Sequence, residues 1–176
     1  SMVRFADLRY IEVEFMVEDE VGLKIPNTAI VEKEFYVVPR EFLVEEGDEK
    51  GFMKEVYDEN GQAGAEFVSM TIYYADEENY YIDPRESDFS TGEAKLPMGS
   101  FLIGTDSQER SQIGMSRTLQ GVYNINKGYT QFRQINILYQ NEEFALVEEG
   151  TSYGLTVYDR IVLNGEAVDE DEVIYR

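Results

Sequence analysis

The side chains that could do chemistry in this chain are mostly carboxylates and tyrosines. The sequence contains 36 Asp and Glu residues and 13 Tyr residues, but it has no His and no Cys. A Ser-His-Asp triad needs His, which is also the commonest metal ligand in proteins. Without Cys there is no disulfide, no thiolate nucleophile and no thiolate-bound metal. We therefore predict no catalytic residue, no metal site and no cofactor, and we expect a protein that is not an enzyme.

The carboxylates leave two alternatives to a plain acidic surface. Asp58-Glu59-Asn60-Gly61 resembles the start of a calcium-binding loop, but the sixth position of that loop lacks Gly and the twelfth lacks Glu. A glycosidase needs two carboxylates that face each other across a cleft, and this alternative stays open. Most of the acidic residues adjoin other acidic residues in predicted turns and on the outer faces of predicted strands. We therefore favour a solvated acidic surface.

The formal net charge of the 176 residues is −21. A charge of this sign argues against binding to nucleic acids and to anionic membranes, because both are polyanions. Residues 107–133 are an exception, with four basic side chains and one acidic side chain. The basic residues are Arg110, Arg117, Lys127 and Arg133. We favour charge balance against acidic neighbours, and the alternative is that these residues form the docking interface for an acidic partner.

Two pairs of tyrosines lie close together in the sequence, Tyr73-Tyr74 and Tyr80-Tyr81. Exposed rings could form a stacking platform for a glycan or a peptide, so the stretch 71–82 is a candidate ligand surface. Adjacent residues of a strand point to opposite faces of a sheet, however, so half of each pair would point inward. Ordinary cross-strand packing is therefore the favoured interpretation.

The elements that must position these residues are predicted to be strands, which makes the chain all-β. Residues 10–17 alternate apolar side chains with Glu12 and Glu14, which indicates a strand with one buried face. Further strands are predicted over 29–38, 67–74, 80–82, 122–125, 129–133, 135–139, 144–147, 161–163 and 173–175. Turns are predicted at 58–61, 126–128, 140–143 and 164–165, where Asn, Gly and other polar residues cluster. The strand at 173–175 is expected to pair back across the last turn, and the whole pattern favours a small barrel or sandwich.

Two regions give a weaker strand signal. Residues 40–57 are interrupted by Gly47 and Gly51, which predicts a loop or a short turn of helix. Residues at about 106–120 are polar and nearly free of aromatic side chains, which predicts a mobile loop. No stretch of the sequence approaches the roughly 20 apolar residues of a membrane-spanning helix.

Two segments resemble the HlyD-type membrane fusion proteins, the extracytoplasmic adaptors of efflux and secretion pumps. The first is Gly22-Leu23-Lys24-Ile25-Pro26-Asn27-Thr28-Ala29-Ile30-Val31. It is similar to the stretch where the family's chain leaves a β-barrel domain and enters the membrane-proximal domain. The second segment, residues 121–175, is similar to the strands and turns of the family's C-terminal part. It includes Gly150, Gly154-Leu155, Asp159-Arg160-Ile161-Val162 and Gly165, with Tyr158 where the family usually has Gly.

The resemblance implies an all-β fold with a small β-barrel-like membrane-proximal domain. Residues 1–40 and 119–176 would form this domain. Residues 41–118 have no counterpart in the family, and we expect them to be an inserted region of short strands, hairpins and loop.

The resemblance also implies a role, that of a non-enzymatic adaptor of the Gram-positive branch. Such an adaptor couples to the permease of an envelope efflux or secretion transporter. It would lie on the extracytoplasmic side of the cell membrane, anchored through a part of the parent protein that is absent from this chain, and the full-length protein could form a homo-oligomer. The alternative is a cell-wall glycan- or peptide-binding β module that uses the tyrosines at 71–82.

Overall fold

The fold is all-β, as the alternating sequence pattern predicts. A computed structural model describes residues 3–4, 10–12, 14–17, 21–104, 109–126, 129–156, 159–167 and 174–175. Strands make up 57% of the chain, and the described residues contain no α-helix. The sheets include one that is nearly closed and barrel-like and one that forms a half-barrel.

The strands are short and follow one another closely along the chain. In chain order they are β1 (Val3–Arg4), β2 (Tyr10–Glu12), β3 (Glu14–Val17), β4 (Val21–Pro26), β5 (Val31–Pro39), β6 (Leu43–Glu46), β7 (Glu49–Tyr57), β8 (Ala63–Ser69), β9 (Tyr74–Ala75), β10 (Asn79–Ile82), β11 (Phe101–Ile103), β12 (Arg110–Gln112), β13 (Ser116–Asn126), β14 (Tyr129–Gln134), β15 (Ile137–Gln140), β16 (Phe144–Val147), β17 (Arg160–Val162) and β18 (Ile174–Tyr175). Single 3₁₀ turns cover Asn27–Ala29, Arg40–Phe42 and Gly165–Ala167.

The chain divides into two compact units. We call residues 1–33 and 119–176 the discontinuous unit, and residues 34–118 the continuous unit. The sequence-based division places the boundaries after residues 40 and 118, whereas the observed units divide after residues 33 and 118. Strands β5 and β13 each begin in one unit and end in the other.

The discontinuous unit joins distant parts of the chain in antiparallel sheets. One sheet has the strand order β15–β16–β4–β3. In it, Leu23 lies opposite Val147 and Ile25 opposite Ala145. In a second set of antiparallel pairs, β17 lies between β2 and β13, and β14 pairs with β13. The side chains that point inward from these strands and their connections form an aliphatic core. Its buried members are Leu23, Ile25, Ala29, Val122, Ile135, Ala145, Val147, Leu155 and Ile161.

The continuous unit is built around the long strand β7. This strand pairs with β6, β8 and β11, and β12 pairs with β11. Strand β10 pairs with both β5 and β9. The Val37 N–H donates a hydrogen bond of 3.0 Å to the Met115 carbonyl, so the two ends of this unit are tied together. The core contains aromatic as well as aliphatic side chains. Its buried members are Tyr36, Val38, Phe42, Phe52, Met70, Ile82, Leu96, Leu102 and Ile113.

The predicted turn at 58–61 is confirmed. It connects β7 to β8, with Tyr57 opposite Ala63. The Asp58 carboxylate accepts hydrogen bonds from the N–H groups of Asn60 (2.9 Å) and Gln62 (2.8 Å), and Gly61 has a φ of +79°. The Asp58 carboxylate is thus used in closing a hairpin, which is the local role that Asp commonly plays in turns.

The strands on either side of the predicted turns at 126–128 and 140–143 also pair as expected. Strands β13 and β14 form an antiparallel pair that ends with Asn126 opposite Tyr129, while the turn residues 127 and 128 lie outside the described residues. Strands β15 and β16 pair across the predicted turn at 140–143, which closes with the Asn141 N–H donating to the Phe144 carbonyl at 2.9 Å.

Three sequence predictions are wrong. The region 40–57 is not a loop, because only Arg40–Phe42 is a 3₁₀ turn and the rest forms the hairpin β6–β7. Gly47, with a φ of +64°, makes the turn of that hairpin. Gly51 lies within β7, where a Cβ would be 2.0 Å from the Val68 carbonyl oxygen of β8. Both glycines therefore build the sheet rather than interrupt it.

The predicted mobile loop at 106–120 is strand over 110–112 and 116–120. The polar residues 110–112 form a strand because β11 offers them backbone partners, and such context outweighs composition. Strand β18 pairs in parallel with β1, and so it does not pair back across the turn at 164–165. Residues 165–167 turn the chain as a 3₁₀ turn instead.

Candidate functional site

A cluster of polar side chains surrounds Tyr81 on the hairpin β9–β10. Tyr81 is only 3% exposed, yet its hydroxyl reaches two charged groups. It donates a hydrogen bond of 2.9 Å to Asp76 Oδ2 and accepts one of 3.2 Å from Arg117 Nη1. Arg117 Nη1 also lies 3.9 Å from Asp76 Oδ2. These three residues, with the neighbouring Tyr74, are called the Tyr81 cluster below.

Hydrogen bonds keep the Asp76 carboxylate ionised. Burial raises the pKa of Asp76, but the N–H of Glu78, the Tyr81 hydroxyl, the N–H of Asn79 and the charge of Arg117 together lower it below its ordinary value. The two backbone hydrogen bonds, of 2.9 and 2.7 Å to Oδ1, close the turn between β9 and β10. Burial and the hydrogen bond to Asp76 raise the pKa of Tyr81. At neutral pH the cluster is therefore a carboxylate, a neutral phenol and a guanidinium, which suits it to holding the hairpin together.

The four predicted tyrosines meet at this hairpin but do not form one exposed face. Tyr74 lies opposite Tyr81 in the register, with ring centroids 5.3 Å apart at an angle of 66°. Tyr73 packs against the ring of Phe35 at 5.3 Å. Tyr80 points to the opposite side of β10, where it packs against the core and lies 4.8 Å from the guanidinium carbon of Arg40. Tyr81 is buried and the other three tyrosines are half-buried, so their geometry is that of cross-strand packing.

Arg110 lies on β12 and is held by a neighbouring strand. Its guanidinium donates two hydrogen bonds to Glu55 Oε2 of β7, with Nε at 2.9 Å, and lies over the ring of Phe101 with its carbon 4.1 Å from the centroid. Glu55 also accepts a hydrogen bond of 2.8 Å from the Tyr57 hydroxyl. That bond, together with Arg110, lowers the pKa of Glu55 against the opposing effect of burial.

The other predicted basic residues are separated. Arg117 belongs to the Tyr81 cluster, whereas Arg133 lies half-buried on β14, in the discontinuous unit. Lys127 lies outside the described residues. Arg110 and Arg117 thus have different carboxylate partners, Glu55 and Asp76, and this arrangement accords with charge balance. Docking of an acidic partner on the four residues stays a prediction.

Sequence reasoning missed a polar cleft beside β8. The cleft has a volume of about 270 Å³ and is lined by Lys54, Ser69, Asp88, Thr91 and Lys95, among others. Lys95 Nζ donates to Glu86 Oε2 and to the Ser69 carbonyl, both at 2.9 Å. No local pattern signals this cleft, because its walls come from strands and loops that are far apart in the sequence. Across the residues that the structure describes, no group of three or more acidic residues is placed to hold a metal ion.

The fold and the site together define an all-β protein in which the clustered charged side chains form ion pairs and hydrogen bonds with each other. No protein-family model, curated protein or solved structure matches the chain. Among the described residues, no helix has the length and apolar character required to cross a membrane.

Proposed function

We propose that this chain is the membrane-proximal region of a non-enzymatic, HlyD-like adaptor that couples to an envelope transporter. One observation carries the proposal. The two segments that resemble the family, 22–31 and 121–175, are far apart in the sequence but share one hydrophobic core in the discontinuous unit. A chance likeness in two separate segments would give no reason for them to pack together.

The contacts between the two segments involve the residues that make the first motif recognisable. Pro26 ends β4 opposite Phe144. In the 3₁₀ turn that follows, the Asn27 N–H donates to the Glu143 carbonyl at 3.1 Å, and the Asn27 side chain donates to the Asn141 carbonyl at 2.7 Å. The turn is therefore seated on the hairpin between β15 and β16.

Ala29 meets the last glycine of the second segment. A Cβ on Gly165 would lie 2.7 Å from the Ala29 carbonyl oxygen and 2.4 Å from Cγ1 of Val31. Only Gly fits at this close approach, so the position of the first segment explains the glycine in the second. This packing supports the proposal that both segments belong to one HlyD-like domain.

The described carboxylates with shifted pKa values take part in ion pairs and turns. The carboxylates with shifted pKa values among the described residues are Glu55, Asp76 and Asp88, and each is lowered. These groups are charged at neutral pH, which suits them to ion pairs and turns.

The proposed partner is a transporter permease on the extracytoplasmic side of the membrane, with the chain anchored through a part of the parent protein outside this sequence. The discontinuous unit offers exposed apolar side chains for that contact. Tyr129, Leu138 and Tyr139 are 57%, 49% and 50% exposed. The last two lie on β15, whose other edge is unpaired among the described strands of its sheet.

Photo-crosslinking in the native host tests this proposal. A photoreactive amino acid at Leu138 in the full-length parent should form cross-links to a membrane transporter subunit, and the same group at Tyr57 of the continuous unit should not. Cross-links from Leu138 to wall fragments alone would replace the adaptor with a wall-binding module. The observed burial of Tyr81 and packing of Tyr73 do not favour that second function.

A further inference from the structure

The tip of the loop between β10 and β11 presents an aromatic side chain to solvent. Phe89 has a relative exposure of 105%, whereas the next most exposed large apolar side chain of the described residues, Met98, has 65%. Burying a Phe side chain is favourable because of its large apolar area. The fully exposed ring of Phe89 therefore leaves this gain in free energy available to a partner that buries it.

Hydrogen bonds hold the tip in one conformation. The Asp88 N–H donates to the Glu93 carbonyl and the Gly92 N–H to the Asp88 carbonyl, both at 2.8 Å. Asp88 Oδ1 accepts from the N–H and the hydroxyl of Ser90 and from the Thr91 N–H. Gly92 has a φ of +74°, which this closure requires.

The base of the same loop is also tied. Ser87 and Ala94 form a β-bridge, and the Lys95 N–H donates to the Glu86 carbonyl at 3.0 Å. Below them the Lys95 ammonium binds the Glu86 carboxylate. Phe89 is thus displayed on a short, closed hairpin, so little conformational entropy would be lost if it were buried against a partner.

The charge around Phe89 limits the kind of partner. Residues 87–93 contain the carboxylates of Asp88 and Glu93 and no basic side chain. Asp88 and Glu93 line the polar cleft with Glu66, Lys54 and Lys95, so the carboxylates there outnumber the ammonium groups by three to two. Hydrogen bonds from Ser90 and Thr91, together with the charge of Lys95, lower the pKa of Asp88. A negative tip on a chain with a net charge of −21 is repelled by anionic lipids and nucleic acids.

We propose that residues 87–93 form a docking tip that inserts Phe89 into an apolar pocket of a partner protein whose rim carries Lys or Arg. The aromatic ring would supply the anchor, as aromatic hot spots do at protein interfaces. Asp88 and Glu93 would face the basic rim and steer the encounter. This assignment is independent of the proposed transporter contact, which would involve the discontinuous unit.

The test begins with a photoreactive amino acid at position 89 in the full-length parent, in its native host. The cross-linked protein and the cross-linked residue are identified by mass spectrometry, and the purified protein is titrated calorimetrically with the parent and its variants. We expect the cross-linked residue to line an apolar pocket with basic neighbours. We expect Phe89→Ser to weaken binding at least about tenfold and rising salt to weaken it further.

Two further variants test whether the loss of affinity is specific to the Phe89 ring. Met98→Ser removes another exposed apolar side chain of the same unit and should leave the affinity unchanged. Asp88→Ala keeps the ring but removes the hydrogen bonds that order the tip, and it should weaken binding by less than Phe89→Ser. Circular dichroism should show that all three variants stay folded, since the replaced side chains are exposed.

Several results would overturn the proposal. They are an unchanged affinity for Phe89→Ser, equal effects of Phe89→Ser and Met98→Ser, and cross-links only to lipid or to a second copy of this chain. Absence of any cross-link from position 89 would count against it as well. None of these results depends on whether Leu138 contacts a transporter.

Discussion

The two units of this protein use different means to hold their strands together. The discontinuous unit has a core of aliphatic side chains and pairs strands from opposite ends of the sequence. The continuous unit has a mixed aromatic and aliphatic core and pairs strands mostly through hairpins. It also carries charged clusters on its outer faces, with Arg110 bound to Glu55 and Arg117 to Tyr81.

This difference gives the two units different structural roles. Long-range strand pairing in the discontinuous unit ties distant segments into one fold. Hairpins in the continuous unit support loops whose side chains can be varied without disturbing distant pairings, and such loops commonly carry binding functions. The exposed Phe89 lies on one of these loops.

The largest expected loss of stability comes from removing an aromatic ring from the core of the continuous unit. Phe52 is fully buried, so Phe52→Ala should lower the free energy of unfolding by about 3–5 kcal/mol through lost burial and the cavity left behind. Chemical denaturation measures the loss. Hydrogen exchange then shows where it acts, and we expect faster exchange within 34–118.

Leu23→Ala is the matched variant in the discontinuous unit, since Leu23 is also fully buried. It should cost about 2–5 kcal/mol and speed exchange in 21–33 and 119–167. Identical exchange patterns for the two variants would show that the units unfold as one, and the comparison of two separate cores would fail.

The next effect concerns the close approach of β13 and β14. A Cβ on Gly121 would lie 2.3 Å from Cζ of Phe132 and 2.4 Å from the Arg133 carbonyl oxygen. Gly121→Ala should therefore destabilise the protein by about 1–3 kcal/mol, as overpacking does. Thermal denaturation checks this prediction. Gly64→Ala in the continuous unit is the control, because its Cβ would have no neighbour closer than 3.9 Å.

A smaller effect is expected from the Tyr81 cluster. Tyr81→Phe keeps the buried ring but removes the hydroxyl that joins Asp76 to Arg117. It should lower the free energy of unfolding by about 0.5–1.5 kcal/mol. Tyr57→Phe is the control, because its hydroxyl bonds only at an exposed site. Equal losses in denaturant titrations of the two variants would refute a special role for the cluster.

The smallest expected effect is a pH dependence from Asp76. The pKa of this carboxyl is lowered from its ordinary value of 3.8, so its charge stabilises the fold above pH 3.8. That contribution is lost as the pH falls through the still lower pKa of the folded state. Asp76→Asn should therefore be less stable than the wild type at pH 6, and the difference should shrink below pH 3.8. A difference that grows on acidification would contradict the assignment.

Local turn chemistry was readable in the sequence, whereas strand partners were not. Asp58-Glu59-Asn60-Gly61 and the polar residues 140–143 predict their hairpins because Asp, Asn and Gly favour turn conformations through contacts within a few residues. Strand β12 was not predicted, because its polar residues form a strand only through their pairing with β11. For the same reason the sequence does not predict the partners of Arg110 and Arg117. Glu55 and Asp76 come close to these arginines only because strands from distant parts of the sequence pair.

The sequence pattern did place the tyrosines correctly in a general sense. Period-two alternation implies that Tyr80 and Tyr81 point to opposite sides of β10, and Tyr80 packs against the core while Tyr81 is buried on the other side. The alternation does not predict how deeply each tyrosine ring is buried. That depth depends on Phe35 and Arg117, which come from other strands.

The seating of the Asn27 turn on the hairpin at 141–143 has a consequence for synthesis on the ribosome. Asn27 and Asn141 are 114 residues apart, and the whole continuous unit is made between them. Strand β4 therefore emerges long before β16, the strand with which it pairs, while the hairpins of the continuous unit find their partners as they emerge. The nascent chain must carry Leu23 and Ile25 without their final core neighbours during that interval, a period in which exposed apolar strands are prone to aggregate.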